Sequence, residues 1–387
     1  MLKGYKYRIY PNEEQIVMLS KTFGCVRFVY NHYLDLQEDG YASGKKHLSK
    51  IDCNNDCNRM LKDENPWLRE VDKFAITNAI YNLDSAYQKL FHHTGRKPRH
   101  KRKHKGSDSY TTNSPTVQVV HGCIKLPKLG KVKARLHRQI PTNGKIKSAT
   151  VSRTPSGKYY CSLLVETPDV LPKPKSYVYS ARVLGLDYSS PDFYVDNFNS
   201  SPASQHWYRR MQKKLKREQR KLSRMYEAAK ASGRKLSECH NYHKQKRKVA
   251  KIQEKIAMRR NNFTNQLSAA IAKQYDAVVV EDIDLRGMAG SLHLGKATND
   301  NGFGMFRRQL DYKLADRGKY LIKADRFFPS SQTCSCCGAV HKITKDLSVR
   351  EWTCPTCGAH LLRDQNAAQN LKNEGIRILQ TQGVSVI

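Results

Sequence analysis

Two Cys-x-x-Cys-Gly segments, Cys334 to Gly338 and Cys354 to Gly358, set sixteen residues between Cys337 and Cys354. Each has the form of a tight knuckle that turns two thiolates inward, and two knuckles complete a tetrahedral Zn²⁺ site. Cys334, Cys337, Cys354 and Cys357 are the expected ligands, with Cys336 spare and His341 or His360 as minor variants. Four thiolates leave no open position for water, so such a zinc is structural. The chain has eleven cysteines, an odd number, and five of them fall in this cluster. That distribution points to metal in a reducing compartment rather than to a disulfide scaffold. Cys25, Cys53, Cys57, Cys123, Cys161 and Cys239 read as ordinary small buried or half-buried residues.

The second set of residues able to do chemistry is acidic. Ala277-Val278-Val279-Val280 is an apolar, β-branched run closed by Glu281 and Asp282, the pattern of a buried strand emerging at a sheet edge. Asp187 ends a similar run from Arg182, and Asp364 opens the helical segment that follows Arg363. Three carboxylates from a first strand, a later strand and a following helix are what a site needs to hold two Mg²⁺ ions, or Mn²⁺, against a phosphodiester. Taken singly, Asp187 could cap a turn, Asp364 could cap a helix and Glu281 could pair with surplus cations. Asp282 points to the opposite strand face from Glu281, and Asp284 is a candidate accessory acid.

The elements that must position these groups alternate in character. Lys3 to Tyr10 alternates as a strand and stops at Pro11-Asn12. Helical spacing then runs from Ile16 to Tyr30, again near Leu61, and across Phe74 to Phe91. From Thr116 to Glu166 the chain reads as β, in strands at 116–120, 123–126, 132–135, 147–154 and 159–165. With the first strand these would close a small barrel, the helices being an insertion after it. Pro168, Pro172 and Pro174 mark a boundary. Beyond it lie the Asp187 strand with a hairpin partner at 192–196, two basic helices broken at Gly233, the Glu281 strand and a Gly, Asn and Ser-rich loop at 287–304. A helix at 306–316, a strand at 320–324, the cysteine segment and a last helix at 365–373 follow. Ribonuclease-H-like folds bring acids to one sheet edge from such elements.

The formal charge is +35, from 69 Lys and Arg against 34 Asp and Glu. Such a field attracts polyanions and makes binding steeply salt-dependent, so nucleic acid is the default partner and an anionic membrane surface the weaker one. No run is long and apolar enough to span a bilayer, and Met1 to Asn12 has no signal-peptide core. The basic charge concentrates in Lys97, Arg99, Lys101, Arg102, Lys103 and Lys105. Alone such a run could be a nuclear localisation signal or a disordered basic tail, and strands on both sides favour a loop clamping a nucleic-acid backbone. A second concentration is the helix carrying Arg209, Arg210, Lys213, Lys214 and Arg217, where few acids balance the cations. The helix pair buries a narrow seam of Tyr208, Met211, Leu215, Leu222, Met225 and Tyr226 against Val249, Ile252, Ile256, Phe263, Leu267 and Ile271.

With these residues placed, the chain resembles the TnpB family, proteins encoded beside bacterial insertion sequences. The resemblance runs nearly end to end: Tyr7 to Asn12 with Gln15, Val26 to Asn31, Gly185 to Tyr188, Val279 to Asp282, Leu310 to Lys313, Ser330 to Cys334 and Arg363 to Ala368. It implies a wedge β-barrel (1–12 and 96–175) with an inserted helical recognition domain (13–95). A RuvC-like nuclease domain (176–329 and 359–387) with a zinc-ribbon insertion (330–358) would follow. It also implies an RNA-guided DNA endonuclease that cuts next to a short adjacent motif, with Asp187, Glu281 and Asp364 binding metal. The partners implied are a guide RNA from the element end and target double-stranded DNA, with no membrane, for a monomer in a prokaryotic cytoplasm, at the nucleoid when bound. Rival readings are a nuclease-inactive RNA-guided repressor and a DNA transposase; transposases usually order their acids Asp, Asp, Glu. The chain departs from the family at His360-Leu361-Leu362, where relatives commonly carry His-Asp. It departs again at Asn262, Asn265 and Gln266, where many carry an acid and a His-Lys pair.

Overall fold

The computed structural model describes residues 1–44, 47–103, 108–189, 192–283, 300–346 and 348–387. The chain divides into two compact units, 1–169 and 170–387. In the first, β1 (Leu2–Tyr10) leads into a long helix α1 (Glu13–Ala42). The chain turns at Pro11-Asn12 because Asn12 caps α1. Its side chain accepts from the Gln15 backbone at 2.8 Å, and the Gln15 side chain accepts from the Asn12 backbone at 3.1 Å. The same Gln15 amide donates to the carbonyls of Leu129 and Lys131, tying the helix start to the sheet.

Helices α2 (Lys50–Asp56) and α3 (Lys73–Phe91) follow. The helical pattern near Leu61 is realised as a π-helical turn, Cys57–Leu61. Strands β2 (Asp108–Thr112), β3 (Gln118–Val120), β4 (Cys123–Leu126), β5 (Gly130–Arg135), β6 (Lys145–Arg153) and β7 (Tyr159–Glu166) join β1 in one antiparallel sheet, ordered β2-β6-β7-β1-β5-β4-β3. Strand β2 has no counterpart in the sequence reading, because Asp-Ser-Tyr-Thr-Thr carries one large apolar residue and follows a run of cations. The end strands β2 and β3 are not paired with each other, so no ladder closes a barrel among the described residues. Tyr5, Tyr7 and Ile9 of β1 bury against Leu19, Phe23, Val26 and Val29 of α1 and Ile76 and Ile80 of α3. Sheet and helices therefore share one core.

The second unit holds a four-stranded sheet, ordered β10-β9-β11-β12. Here β9 is Val183–Tyr188, β10 Tyr194–Asp196, β11 Ala277–Glu281 and β12 Tyr320–Ala324, after a two-residue β8 (Tyr177–Val178). Strands β9, β11 and β12 are parallel; β10 runs antiparallel to β9 as a hairpin. Between β10 and β11 lie the basic helices α4 (Trp207–Ala231) and α5 (His240–Gln274). Leu215, Val249, Ile252 and Ile256 bury their seam, with Tyr208, Met211 and Leu222 half-buried around it. Met225 and Tyr226 lie outside this seam and are exposed, although Ala229 beyond them is buried. Helix α6 (Phe303–Ala315) precedes β12, and α7 (Arg363–Thr381) ends with a short β15 (Ser385–Val386) paired to β8.

Because strand side chains alternate, the sheet has two chemically distinct faces. Leu184, Leu186, Val278 and Val280 pack with Ile271 of α5 and Phe306, Leu310 and Leu314 of α6. Val183, Ala277, Val279 and Ile322 pack with Leu371 and Leu379 of α7. Odd-numbered positions of β9 and β11 therefore face α7.

Candidate active site and metal centre

Asp187 and Glu281 extend those odd-numbered rows. The β9–β11 register pairs Val280 with Leu186, so the next step sets Glu281 beside Asp187, both on the α7 face. Asp364 lies in the first turn of α7. The three meet electrostatically: burial first, then Glu281 and Asp364, push the Asp187 carboxyl well above its ordinary range, against a lowering by Arg363. Glu281 accepts a 2.6 Å hydrogen bond from the Ser330 hydroxyl. Asp364 is held by Arg363 at 2.9 Å and Arg350 at 3.3 Å. The carboxylates form no tight cluster. Among the described residues the four cysteines are the one set of three or more donors close enough together for a single ion.

Other buried acids of this unit show what a structural acid looks like. Asp276, at the opposite end of β11, pairs with Lys175, Arg182 and Lys319. Buried Glu218 of α4 pairs with Arg217 and Lys248 and accepts from Gln245. Asp300 caps the start of α4 through the Tyr208 and Arg209 amides. Asp187 and Glu281 have no Lys, Arg or His within ion-pair distance among the described residues. In a chain of +35 that is a selective omission.

Helix α7 comes close enough to place Asp364 because residue 185 has no side chain. A Cβ there would lie 2.0 Å from the Ala368 carbonyl oxygen and 2.8 Å from the Lys372 nitrogen. Asn366 and Asn370 of α7 reach the other way. Asn370 donates to the carbonyls of Ser330 and Thr333, Asn366 donates to Thr333, and Asn366 accepts from the Ser335 backbone. The segment that supplies the Glu281 partner is thus tied to the helix that supplies Asp364.

The cysteine segment is a ribbon of two knuckles and a hairpin, β13 (Glu351–Thr353) with β14 (His360–Leu362), and β14 runs directly into α7. In each knuckle the glycine amide donates back to the first cysteine carbonyl, Gly338 to Cys334 and Gly358 to Cys354. Both glycines have positive φ, which the turn requires. The sulfurs of Cys334 and Cys357 are 3.7 Å apart, as are those of Cys337 and Cys354, and all four lie within 4.8 Å. A tetrahedral site with a Zn–S bond of about 2.3 Å has sulfurs about 3.8 Å apart, so the group fits zinc. His341 stands 3.5 Å from the Cys354 sulfur and packs on Trp352, outside the four-sulfur set. Cys336 is exposed.

The expected nucleic-acid residues fall in two places. The basic loop is strapped along α1: Lys97 pairs with Glu38, His100 with Asp35, and the Asn31 amide brackets the Lys101 backbone. The Lys101 ammonium sits 3.8 Å from the Tyr30 ring centroid. Arg99, Lys101 and Arg102 line a cavity of about 870 Å³ with Phe23, Val26 and Arg27. Lys103 is exposed, and Lys105 lies outside the described residues. On α4, Arg209, Arg210, Lys213, Lys214 and Arg217 are all exposed. The stripe continues beyond the sequence reading through Lys216, Arg220, Lys221 and Arg224, which with Lys213 and Arg217 line a groove of about 410 Å³. Their spacing of three and four residues was the available signal. Asp284, the candidate accessory acid, and most of the 287–304 loop lie outside the described residues. Of the polar positions departing from the family pattern, Asn265 receives the buried Lys313 ammonium, joining α5 to α6.

Against this geometry the comparisons with known proteins are direct. A Streptomyces pristinaespiralis protein named "Putative RNA-guided DNA endonuclease" is 32% identical over 378 residues, spanning 97% of this chain and 89% of that one. The chain belongs to the TnpB family. Escherichia coli K12 "Putative RNA-guided DNA endonuclease InsQ", 26% identical, matches 98% of this chain and 93% of its own length. Three family profiles match: "Helix-turn-helix domain" over 1–46, "Probable transposase" over 180–292 and "Cas12f1-like, TNB domain" over 303–371. The second spans Asp187 and Glu281; the third spans the four cysteines and Asp364. The first spans β1 and α1. A solved Cas12f1–sgRNA–target DNA complex aligns with a TM-score of 0.46 at 12% identity, covering 96% of this chain and 99% of that one.

Proposed function

We propose that this TnpB-family chain is an RNA-guided DNA endonuclease of a transposable element. In this reading Asp187, Glu281 and Asp364 hold two Mg²⁺ ions, and Cys334, Cys337, Cys354 and Cys357 hold a structural Zn²⁺. One observation carries the reading: two strand-end acids without cation partners share a sheet face with a third acid on the adjoining helix. The names of the two full-length relatives support the RNA-guided part. Residues 1–12 and 96–175 would serve as the wedge domain and 13–95 as the recognition helices. The nuclease domain would comprise 176–329 and 359–387, with 330–358 as its zinc insertion.

Two divalent ions bound at such acids supply Lewis acidity for an attacking water and for the departing 3′ oxygen. The protein's own part is positional. Asp187 and Glu281 are fixed by strand register. Ser330 occupies one Glu281 oxygen and leaves the other free to bind an ion. Arg350 and Arg363 hold Asp364 at the helix start. The cationic stripe of α4 and the basic loop hold nucleic-acid backbone, while base pairing to the guide reads sequence.

The test is to express the chain with its native flanking DNA, purify it at high salt and sequence the RNA that stays bound. A discrete RNA ending in sequence from beyond the element is expected and defines the target for cleavage. Random cellular RNA, or none, would reject guidance.

A further inference from the structure

Between two residues that meet Glu281, Ala324 and Ser330, the chain carries an aromatic ring that no packing requirement explains. Phe327 is 86% exposed, whereas its neighbour Phe328 packs into the cluster under α7. The segment that carries it begins and ends on the candidate site. Ala324, three residues before, pairs with Glu281 across β12 and β11, and Ser330, three residues after, donates its hydroxyl to Glu281. The turn between is built to hold one shape. The Asp325 side chain accepts from the Phe327 amide at 2.8 Å, and the Asp325 carbonyl accepts from the Phe328 amide at 3.1 Å. Asn370 then fixes the Ser330 carbonyl. Arg326 reaches back so that its Nε donates to the Asp282 carbonyl at 3.4 Å, with no carboxylate in ion-pair distance among the described residues.

A ring so exposed forgoes most of the stabilisation that burying a phenylalanine gives, while a hydrogen-bonded turn presents it one residue after the Arg326 guanidinium. A flat apolar face beside a cation is the chemistry that receives an unpaired nucleobase and its phosphate. We propose that Phe327 is a substrate-positioning residue. Its ring stacks on a base of the DNA strand at the Glu281 site, and Arg326 contacts the adjoining phosphate. This rests on the nuclease reading of that site. A strand-positioning role accounts for what a cutting site needs besides ligands, since the scissile phosphate must be held in line with the carboxylates.

The experiment has two independent readouts on the RNA-loaded protein. In Ca²⁺ buffer, a single-stranded DNA carrying 5-iodouracil is irradiated with the parent protein, and the linked peptide is mapped. In Mg²⁺ buffer, target cleavage is compared among the parent, Phe327→Ala, Phe327→Leu and Phe327→Trp. The proposal expects crosslinks at Phe327. It also expects cleavage about 10- to 100-fold slower in the Ala and Leu variants at unchanged target binding, with recovery in the Trp variant, because stacking needs a π face. Crosslinks that avoid 325–328, or Ala and Leu variants as active as the parent, overturn it. Should the parent not cut, the nuclease reading fails by itself, and the crosslink map decides the stacking proposal: Phe327 labelled supports it, unlabelled overturns it.

Discussion

Gly185→Ala is the smallest change that tests how the site is assembled. The added Cβ would sit 2.0 Å from the Ala368 oxygen, 3.0 Å from its carbon and 2.8 Å from the Lys372 nitrogen, all backbone atoms of α7. A relaxed C···O approach is about 3.3 Å, so the helix must withdraw from β9 by about 1 Å, because no flexible side chain is there to yield. Asp364 sits on the same helix one turn before Ala368, and Asp187 two residues after Gly185 on the same strand. The withdrawal therefore opens the acid set itself. Overpacking of this kind costs about 1–3 kcal/mol, and a displacement of about 1 Å at a reacting centre costs about 100-fold in rate. Urea melts and single-turnover cleavage measure the two effects, with zinc content expected to stay unchanged. Gly24→Ala is the control, since a Cβ there meets nothing within 4 Å and lies inside α1; it should stabilise by about 0.5–1 kcal/mol. A Gly185→Ala protein as stable and as active as the parent would refute the close packing of α7 on β9 as the device that places Asp364.

Three further outcomes are expected. Because burial, Glu281 and Asp364 raise the Asp187 carboxyl, the folded chain without Mg²⁺ holds a proton that the unfolded chain releases. That contribution is full below the unfolded pKa of about 3.9 and is lost as pH rises through the raised value. Asp187→Asn should therefore melt higher than the parent at neutral and alkaline pH in Mg²⁺-free buffer; equal melting across the range would contradict the coupling. Cys354→Ser should release one zinc per chain by metal analysis. Asn370→Ala should retain it yet be destabilised by about 1–2 kcal/mol in denaturant melts, since the Ser330 carbonyl at the ribbon base is left without its donor while the Thr333 carbonyl keeps Asn366. Replacing Lys213, Arg220 and Arg224 by Gln should lower the dependence of RNA affinity on log salt by about 0.7–0.9 for each phosphate no longer neutralised; an unchanged slope would remove α4 from the interface.

What the sequence made legible followed from local physics. The knuckles were readable because metal geometry fixes both residue type and spacing. The strand ends at Asp187 and Glu281 were readable because apolar runs stop where a sheet edge meets solvent. The helical hairpin was readable through Leu215, Val249, Ile252 and Ile256, which recur at helical spacing. Long-range packing was not. Nothing local to Gly185 announces that α7 will lie on it, and Asn366 and Asn370 look like surface residues until the ribbon folds onto them. The same holds for β2, whose Asp-Ser-Tyr-Thr-Thr becomes a strand only through pairing with β6. The last helix extends to Thr381, beyond the expected Asn373, because Leu379 finds a buried place against the sheet. Phe327 carries no signal in one sequence, and Ser330, part of the family resemblance, shows its role only through the turn that brings its hydroxyl to Glu281.

The central claim is that Asp187, Glu281 and Asp364 form one metal-dependent cutting site. It is tested most directly by measuring Mg²⁺-dependent cleavage of a target matched to the bound RNA, for the parent and for Asp187→Ala, Glu281→Ala and Asp364→Ala, each checked for target binding. The account predicts cutting by the parent only with the divalent ion, and loss of cutting in every variant with binding retained. Cleavage that survives any one substitution, or a parent that binds its target and never cuts it, would contradict the claim.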